Sequence, residues 1–182
     1  IGYLTQDVRL FAGTLKENLL LGAGDVTDDD LVAASKAAGI DRYVAMHPQG
    51  YDLPIFEGGG GLSGGQRQAL GFARLLLSKP LTYLLDEPTA SMDQQTEKEV
   101  IQNIQGYLKK ESTLIVVTHK PSILSLVDRI IVMDQGRVVM DGPKQQIMQQ
   151  LNDNQNAQTY QKSAPKSPPP KPNSSPQKII VT

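Results

Sequence analysis

Apolar and polar residues follow one another along the chain in short blocks that predict alternating strands and helices. Residues 1–4, 81–85 and 113–118 are continuous apolar or β-branched runs, which predict strands buried on both faces. Residues 130–133 and 138–140 flank a glycine turn, which predicts a hairpin. Apolar side chains recur instead at helical spacing on one face of residues 64–78, at Ala69, Leu70, Phe72, Ala73, Leu76 and Leu77. This succession predicts an α/β fold with a mostly parallel sheet.

Polar residues mark the first predicted helix starts. Thr14 and Glu17 have the spacing of a capping box, which predicts a helix that runs to about Leu21. Three aspartates at 28–30 precede an apolar stretch that Gly39 ends. Because carboxylates in a first turn complement the helix dipole, we interpret the aspartates as a helix start and not as a metal site.

Further helices are predicted downstream by the same kind of signal. A short helix is expected over residues 41–46, and Asp93 is a good N-cap for a helix over residues 94–109. Pro143 begins a last amphipathic helix that is expected to end near Leu151. Residues 152–182 are rich in Asn, Gln, Ser, Pro and Lys, a composition that predicts a disordered tail.

One segment has the features of an anion site. Residues 62–66 read Leu-Ser-Gly-Gly-Gln, and Ser63 with Gln66 has the capping-box spacing at the start of the helix over residues 64–78. Gly64 and Gly65 leave backbone N–H groups uncovered at the positive end of that helix. This segment, called the signature turn below, therefore predicts a site for a phosphate oxygen.

A second segment supplies carboxylates. Residues 81–87 are an apolar run that ends in Asp86 and Glu87. A parallel strand there would deliver both side chains to its carboxyl edge, where open α/β sheets bind ligands. Each segment alone is more often a plain helix start or a solvated loop, but their order and spacing together predict a site for a nucleotide and Mg²⁺.

In this order, the strings Leu-Ser-Gly-Gly-Gln-Arg-Gln and Leu-Asp-Glu-Pro-Thr resemble the signature sequence and the Walker B strand of the ATP-binding domain of ABC transporters. The resemblance covers residues 1–151. It implies part of a P-loop NTPase-type sheet core, with an inserted helical signature subdomain at 14–78 and a second part of the core at 79–151.

The resemblance also implies roles for single residues in ATP hydrolysis. Asp86 would hold Mg²⁺, and Glu87 would polarise the attacking water. His119, which follows the strand over residues 113–118, would contact the γ-phosphate, and Gln6 would contact both the metal and the water.

The remaining candidates imply a dimer. Ser63, Gly64 and Gly65 would cap the γ-phosphate of an ATP held by a second subunit in a head-to-tail homodimer. Gln66 and Asp93, the latter at the position of the family's D-loop, are assigned to the same nucleotide.

The phosphate-binding loop of this family has not been found in the chain. Its pattern Gly-x-x-x-x-Gly-Lys-[Ser/Thr] needs a glycine before the lysine, and no Gly-Lys pair occurs in the 182 residues. We expect the chain to be the C-terminal portion of an ABC ATPase that has this loop upstream of Ile1, and to be inactive alone.

A resemblance to the fused permease-ATPases of bacterial type I secretion is found in residues 6–15, 47–54, 91–93, 127–129 and 141–144. This resemblance implies a transmembrane domain in the same polypeptide, a membrane-fusion protein, an outer-membrane channel and a protein substrate, with the ATPase on the cytoplasmic face of the inner membrane. Lipid, drug and peptide exporters share much of the pattern and stay open as alternatives. A chromosome-maintenance ATPase is disfavoured because no sustained heptads occur, and a non-hydrolysing module is disfavoured by the intact Glu87 and His119.

Composition restricts the partners further. Eighteen basic and 19 acidic residues give a net charge of -1, so nucleic acid is not expected as a partner. The chain has no cysteine, which excludes a disulfide framework and a thiolate metal site. No apolar run has the roughly 18 residues that a membrane helix needs.

Overall fold

The computed structural model describes residues 1–162 and 178–181 of the chain. Contacts divide the chain into two compact units, Ile1–Val116 and Val117–Thr182. The first unit contains, in chain order, β1 (Gly2–Leu4), β2 (Gly13–Thr14), α1 (Leu15–Leu20), α2 (Asp28–Ala38), α3 (Asp41–Met46), β3 (Pro54–Ile55), α4 (Gly64–Leu77), β4 (Thr82–Asp86) and α5 (Gln94–Tyr107). Strand β5 (Thr113–Thr118) follows and continues into the second unit.

Parallel strands form the centre of the first unit. Strand β1 pairs with β4 in parallel, with Gly2 opposite Tyr83 and Leu4 opposite Leu85. Leu4 and Leu85 are buried, and the N–H of Thr113 donates to the carbonyl of Leu81 at the start of the neighbouring strand β5. The predicted α/β fold with a parallel sheet is therefore confirmed. Because β1 and β4 run in the same direction, the residues after both strands lie at the same edge of the sheet.

Helix packing encloses the core of the first unit. Helix α2 packs against α4 and α5, and α1 packs against α4. The predicted apolar face of α4 is confirmed, since its members are all buried: Ala69, Leu70, Phe72, Ala73, Leu76 and Leu77. Full burial of a side chain such as Phe72 contributes about 1.5–3 kcal/mol. The core thus fixes α4, whose N-terminus is the signature turn.

Local signals set the helix ends as predicted. Thr14 accepts a hydrogen bond from the backbone of Glu17, and the Glu17 side chain accepts one from the backbone of Thr14, which is a complete capping box. Gly39 ends α2 in the left-handed conformation, with φ of 77°. A Cβ on Gly39 would also lie 2.8 Å from a methyl group of Val100, so glycine is required there both for its conformation and for the close packing.

Ser35, in the middle of α2, is fully buried, and its hydroxyl has no hydrogen-bond partner within the part of the chain that the structure describes. We expect Ser35→Ala to raise the free energy of unfolding by about 1 kcal/mol, because it removes an unsatisfied buried hydroxyl and improves helix propensity. Thermal unfolding of the full-length protein would measure this. Ser78→Ala is the control, because the Ser78 hydroxyl does donate to the Leu75 carbonyl at 2.8 Å. Destabilisation by Ser35→Ala would contradict the prediction.

The second unit contains an antiparallel arrangement. A 3₁₀ helix (Pro121–Leu126) precedes β6 (Arg129–Asp134) and β7 (Arg137–Pro143), which confirm the predicted hairpin. Arg129 donates two hydrogen bonds across the hairpin to the carboxylate of Asp141, at 2.8 and 2.7 Å. The guanidinium of Arg129 lowers the pKa of the Asp141 carboxyl.

The C-terminal part differs from the prediction. Helix α6 (Lys144–Lys162) continues beyond the end predicted near Leu151, because residues 152–162 include neither proline nor glycine to interrupt it. Strand β8 (Lys178–Val181) pairs antiparallel with β6, although the tail was predicted to be disordered, and its Ile-Ile-Val sequence favours a strand. The disorder predicted for residues 163–177 and 182 lies outside the described residues. Neither α6 nor any other described helix is long and apolar enough to cross a membrane.

Candidate functional site

The signature turn starts α4 with a complete capping box. The hydroxyl of Ser63 accepts from the N–H of Gln66 at 3.2 Å, and Oε1 of Gln66 accepts from the N–H of Ser63 at 2.8 Å. The N–H groups of Gly64 and Gly65 lie in the first turn, where a helix offers no partner of its own. Both glycines are partly exposed. The amides of Gly64 and Gly65 therefore lie at the exposed start of α4, and their binding of a phosphate oxygen stays a prediction.

Gly65 packs directly against the backbone that follows β4. A Cβ on Gly65 would lie 2.8 Å from the carbonyl oxygen of Ser91, which cannot give way without a backbone shift. A Cβ on Gly64 would lie 3.4 Å from the Ser91 side chain, an ordinary contact. Only Gly65 is thus fixed as glycine by space, and its close approach joins the signature turn to Ser91.

The strand-end loop, residues 87–93, follows Asp86, which is the last residue of β4. Asp86 is partly exposed, and Glu87 follows in the left-handed region with φ of 48°. That conformation is uncommon for a residue other than glycine, asparagine or aspartate. The N–H of Ala90 donates to the carbonyl of Glu87 at 3.1 Å, which closes a turn. Underneath, the buried Thr89 donates to the buried Glu97 at 2.7 Å and anchors the loop to α5.

Gln68, which sequence reasoning missed, connects α4 to Glu87, where this turn begins, and to Ser91, which follows it. Its side chain is 2% exposed. Its Nε2 donates to the carbonyl of Glu87 at 2.6 Å, and its Oε1 accepts from the N–H of Ser91 at 3.0 Å. The sequence feature that could have indicated its burial is its place just before the apolar residues Ala69 and Leu70, on the side of the helix that faces the core.

Asp93 is the N-cap of α5, which confirms that interpretation. Its carboxylate accepts from the N–H groups of Gln95 and Thr96, both at 3.0 Å, and from the Thr96 hydroxyl at 2.7 Å. The hydrogen bonds from Thr96, and mainly the one from its side chain, lower the pKa of Asp93. The carboxylate also lines a cavity of about 250 Å³ whose walls include Ser63, Gly65 and Gln66.

Gln6 and Asp86 line one open cleft of about 930 Å³. Gln6 follows β1 and Asp86 ends β4, so the parallel pairing of these strands brings the two side chains to the same edge. Among residues 1–162 and 178–181, no group of three or more His, Cys, Asp or Glu side chains could hold a metal. A carboxylate and an amide oxygen suit Mg²⁺, which proteins bind through one or two carboxylates together with substrate phosphates and water. The donor set therefore fits Mg²⁺ bound with a nucleotide.

Arg74 is a second residue that the sequence left without a role. Its guanidinium donates to the carbonyl of Asn18 at 2.7 Å, to Oδ1 of Asn18 at 3.2 Å and to the carbonyl of Arg9 at 3.1 Å. Burial lowers its pKa. Asn18, itself buried, bonds both backbone groups of Phe11. Arg74 thus fastens the segment after Gln6 to α4.

His119 belongs to the second unit, where it follows β5 directly and is exposed. The chain turns there because the Thr118 hydroxyl accepts from the N–H of Lys120 at 3.0 Å. The contact of His119 with the γ-phosphate stays a prediction.

Within the first unit, a small cavity of about 110 Å³ brings Gln6 and Gly64 together beside Gln68.

Comparison with known proteins agrees with this arrangement. The family model for ABC transporters matches residues 1–90. The type I secretion system ATP-binding protein PrsD of Rhizobium meliloti (strain 1021) is 41% identical over 151 residues, which are 83% of this chain and 26% of that protein. A second relative is a Staphylococcus aureus (strain NCTC 8325 / PS 47) protein whose name describes it as a multidrug export ATP-binding/permease protein. It is 38% identical over 81% of this chain and 25% of its own length.

The fold comparison leads to the same family. The structure of a bacterial Atm1-family ABC exporter with ATP bound superposes with a TM-score of 0.77 at 31% identity, over 91% of this chain and 29% of that one. The chain spans about a quarter of the length of the curated relatives that it matches. By its sequence and its fold, the chain belongs to the ABC transporter family.

Proposed function

We propose that this chain is the ATP-binding and hydrolysing portion of an ABC exporter. The observation that carries the proposal is the close approach of Gly65 to the carbonyl of Ser91, because it holds the first turn of α4 against the loop that carries Glu87. Amides at a helix start bind phosphate oxygens, and carboxylates at a strand end suit a metal and a water. The signature turn and the carboxylates are therefore held together as two half-sites of one chain.

Each candidate residue would have its own role in the hydrolysis of ATP. Mg²⁺, when bound, neutralises charge on the triphosphate. Asp86 and Gln6 would hold the metal from the shared cleft. Glu87 would orient the attacking water and take up its proton, and His119 would contact the γ-phosphate.

The signature turn would act on a nucleotide held by a second subunit. Ser63 and Gln66 already satisfy each other in the capping box, which keeps the first turn of α4 in place. Gly64 and Gly65 would donate their N–H groups to the γ-phosphate of the partner's ATP. Asp93 would keep the start of α5 in a fixed position beside Gly64 and Gly65. No Gly-Lys pair occurs in the 182 residues, so the phosphate loop would have to come from the rest of the full-length exporter, and the chain alone would be inactive.

We assign the exporter to type I protein secretion, on the likeness to PrsD. The ATPase would then stand on the cytoplasmic face of the inner membrane and be joined to a transmembrane domain. A membrane-fusion protein, an outer-membrane channel and a protein substrate would complete the system. The likeness to the Staphylococcus aureus relative favours drug export as a second candidate. Cells that lack the gene would separate the two candidates. Loss of a secreted protein would support type I secretion, whereas a raised drug sensitivity would support drug export.

Asp86→Asn tests the assignment of the metal. The variant keeps an oxygen ligand but loses its charge, so we expect the Mg²⁺ concentration for half-maximal ATP turnover to rise by about tenfold, equivalent to roughly 1.4 kcal/mol. A Mg²⁺ titration of ATPase activity in the full-length exporter would measure the change. Asp25→Asn, which alters a carboxylate in the exposed loop before α2, is the control. An unchanged titration of the Asp86 variant would contradict its role.

A further inference from the structure

We propose that Gln68 is a positioning residue for ATP hydrolysis, which sets the backbone of Glu87 and couples it to the signature turn. The inference rests on the proposed function, since it assumes that Glu87 orients the water. Gln68 would touch neither nucleotide nor metal. It would act through the strand-end loop, which it holds by one hydrogen bond to Glu87 and one to Ser91.

The hydrogen bonds require an amide at this position. The carbonyl of Glu87 needs a donor, and the N–H of Ser91 needs an acceptor. Among side chains of this length, only glutamine offers an N–H₂ donor and a carbonyl acceptor on one rigid group at all pH values. Because Gln68 is 2% exposed, water cannot replace either bond.

The bond to the Glu87 carbonyl bears on the direction of the Glu87 side chain. Glu87 has φ of 48°, a conformation that persists only when its surroundings enforce it. Its carbonyl receives hydrogen bonds from Nε2 of Gln68 at 2.6 Å and from the N–H of Ala90 at 3.1 Å. Two donors fix the peptide plane that follows Glu87, and the orientation of its Cα–Cβ bond depends on that plane.

The bond to Ser91 connects the same amide to the signature turn. Ser91 is the residue whose carbonyl would lie 2.8 Å from a Cβ on Gly65. Its N–H is held by Gln68, which stands one helical turn after Gly64 on the same helix. A movement of the start of α4 toward a phosphate would therefore be transmitted to Glu87 through Gln68. This side chain would thereby couple the signature turn, which acts on the partner's ATP, to Glu87, which acts in the site of its own subunit.

Two substitutions in the full-length exporter test the proposal. Gln68→Met preserves volume but removes both hydrogen bonds. Gln68→Glu keeps the acceptor for Ser91, but its ionised carboxylate cannot donate to the carbonyl of Glu87. Leu70→Val, a change at a fully buried apolar residue of the same helix, is the control for a general loss of stability. Turnover, KM for ATP and thermal unfolding are measured for each.

We expect Gln68→Met to lower kcat by roughly tenfold or more while KM for ATP changes little, because misplacement of a catalytic group affects the transition state more than binding. The Leu70→Val control should keep the wild-type kcat. For Gln68→Glu, the ratio of its kcat to that of the wild type should rise as the pH falls, since the protonated carboxyl regains a donor. The ratio cancels any pH dependence that the variant shares with the wild type. The charged residues near this position are Asp7 and Arg67, which line the same small cavity as Gln68, and Asp86 and Glu87 at the end of β4. For Gln68→Met the same ratio should stay flat.

The proposal is overturned if Gln68→Met keeps kcat within about twofold of the wild type, a change too small for a displaced catalytic group. It is also overturned if Leu70→Val loses kcat to the same extent, or if the ratio for Gln68→Glu does not change with pH. Glu87→Gln, measured in parallel, separates the two levels of inference. If that variant keeps full turnover, the proposed function itself fails, whereas its inactivity beside an active Gln68→Met rejects only the positioning role.

Discussion

Glu87→Gln in the full-length exporter is expected to slow ATP turnover by about a hundredfold or more and to leave ATP binding intact. The amide has nearly the shape of the carboxylate but cannot take up a proton from the attacking water. The hydrogen bonds that hold the loop go to the backbone carbonyl of Glu87, from Gln68 and Ala90, so the substitution leaves them in place. Phosphate release and equilibrium nucleotide binding, measured on the same preparation, would separate the two effects.

Glu111→Gln provides the control for this experiment. Glu111 is exposed in the connection between α5 and β5 and lies outside the loop. Its replacement should leave turnover unchanged while it alters the net charge by the same amount. If Glu87→Gln hydrolysed ATP at the rate of the control, Glu87 could not be the group that orients the water.

The local features of the site could be predicted from the sequence because they depend on neighbours along the chain. A capping box needs two residues three positions apart, and those of Thr14 with Glu17 and Ser63 with Gln66 both form as predicted. The cap that Asp93 provides has the same origin. An apolar face at helical spacing likewise predicted which side of α4 is buried.

The contacts that join α4 to the loop could not be predicted in this way, because they link residues far apart in sequence. Gln68 and Ser91 are 23 positions apart, and Arg74 and Asn18 are 56 apart. A polar residue on a helix is usually solvated, so the place of Gln68 just before Ala69 and Leu70 is a weak signal of burial. Its burial depends on the packing of the strand-end loop. The close contact of Gly65 is of the same kind, since a glycine in a helix start is explained equally well by an open anion site.

That contact leads to the second large effect, expected for Gly65→Ala. The new Cβ would lie 2.8 Å from the carbonyl oxygen of Ser91, so α4 or the loop must shift. A displacement of about 1 Å between the groups of a catalytic site can cost roughly a hundredfold in rate, and we expect a loss of turnover on that scale. Steady-state ATPase assays of the full-length exporter would measure it, with thermal unfolding to register any loss of folded protein.

Two other glycines calibrate the result. Gly64→Ala meets only the Ser91 side chain, at 3.4 Å, so its loss of turnover should be clearly smaller than that of Gly65→Ala. Gly106→Ala, in α5, meets nothing within 4 Å and should keep full turnover while its better helix propensity adds up to about 1 kcal/mol of stability. Equal turnover of the two signature-turn variants would show that the contact with Ser91 does not matter for hydrolysis. The joined construction of the two half-sites, on which the assignment of the ATPase depends, would then have to be given up.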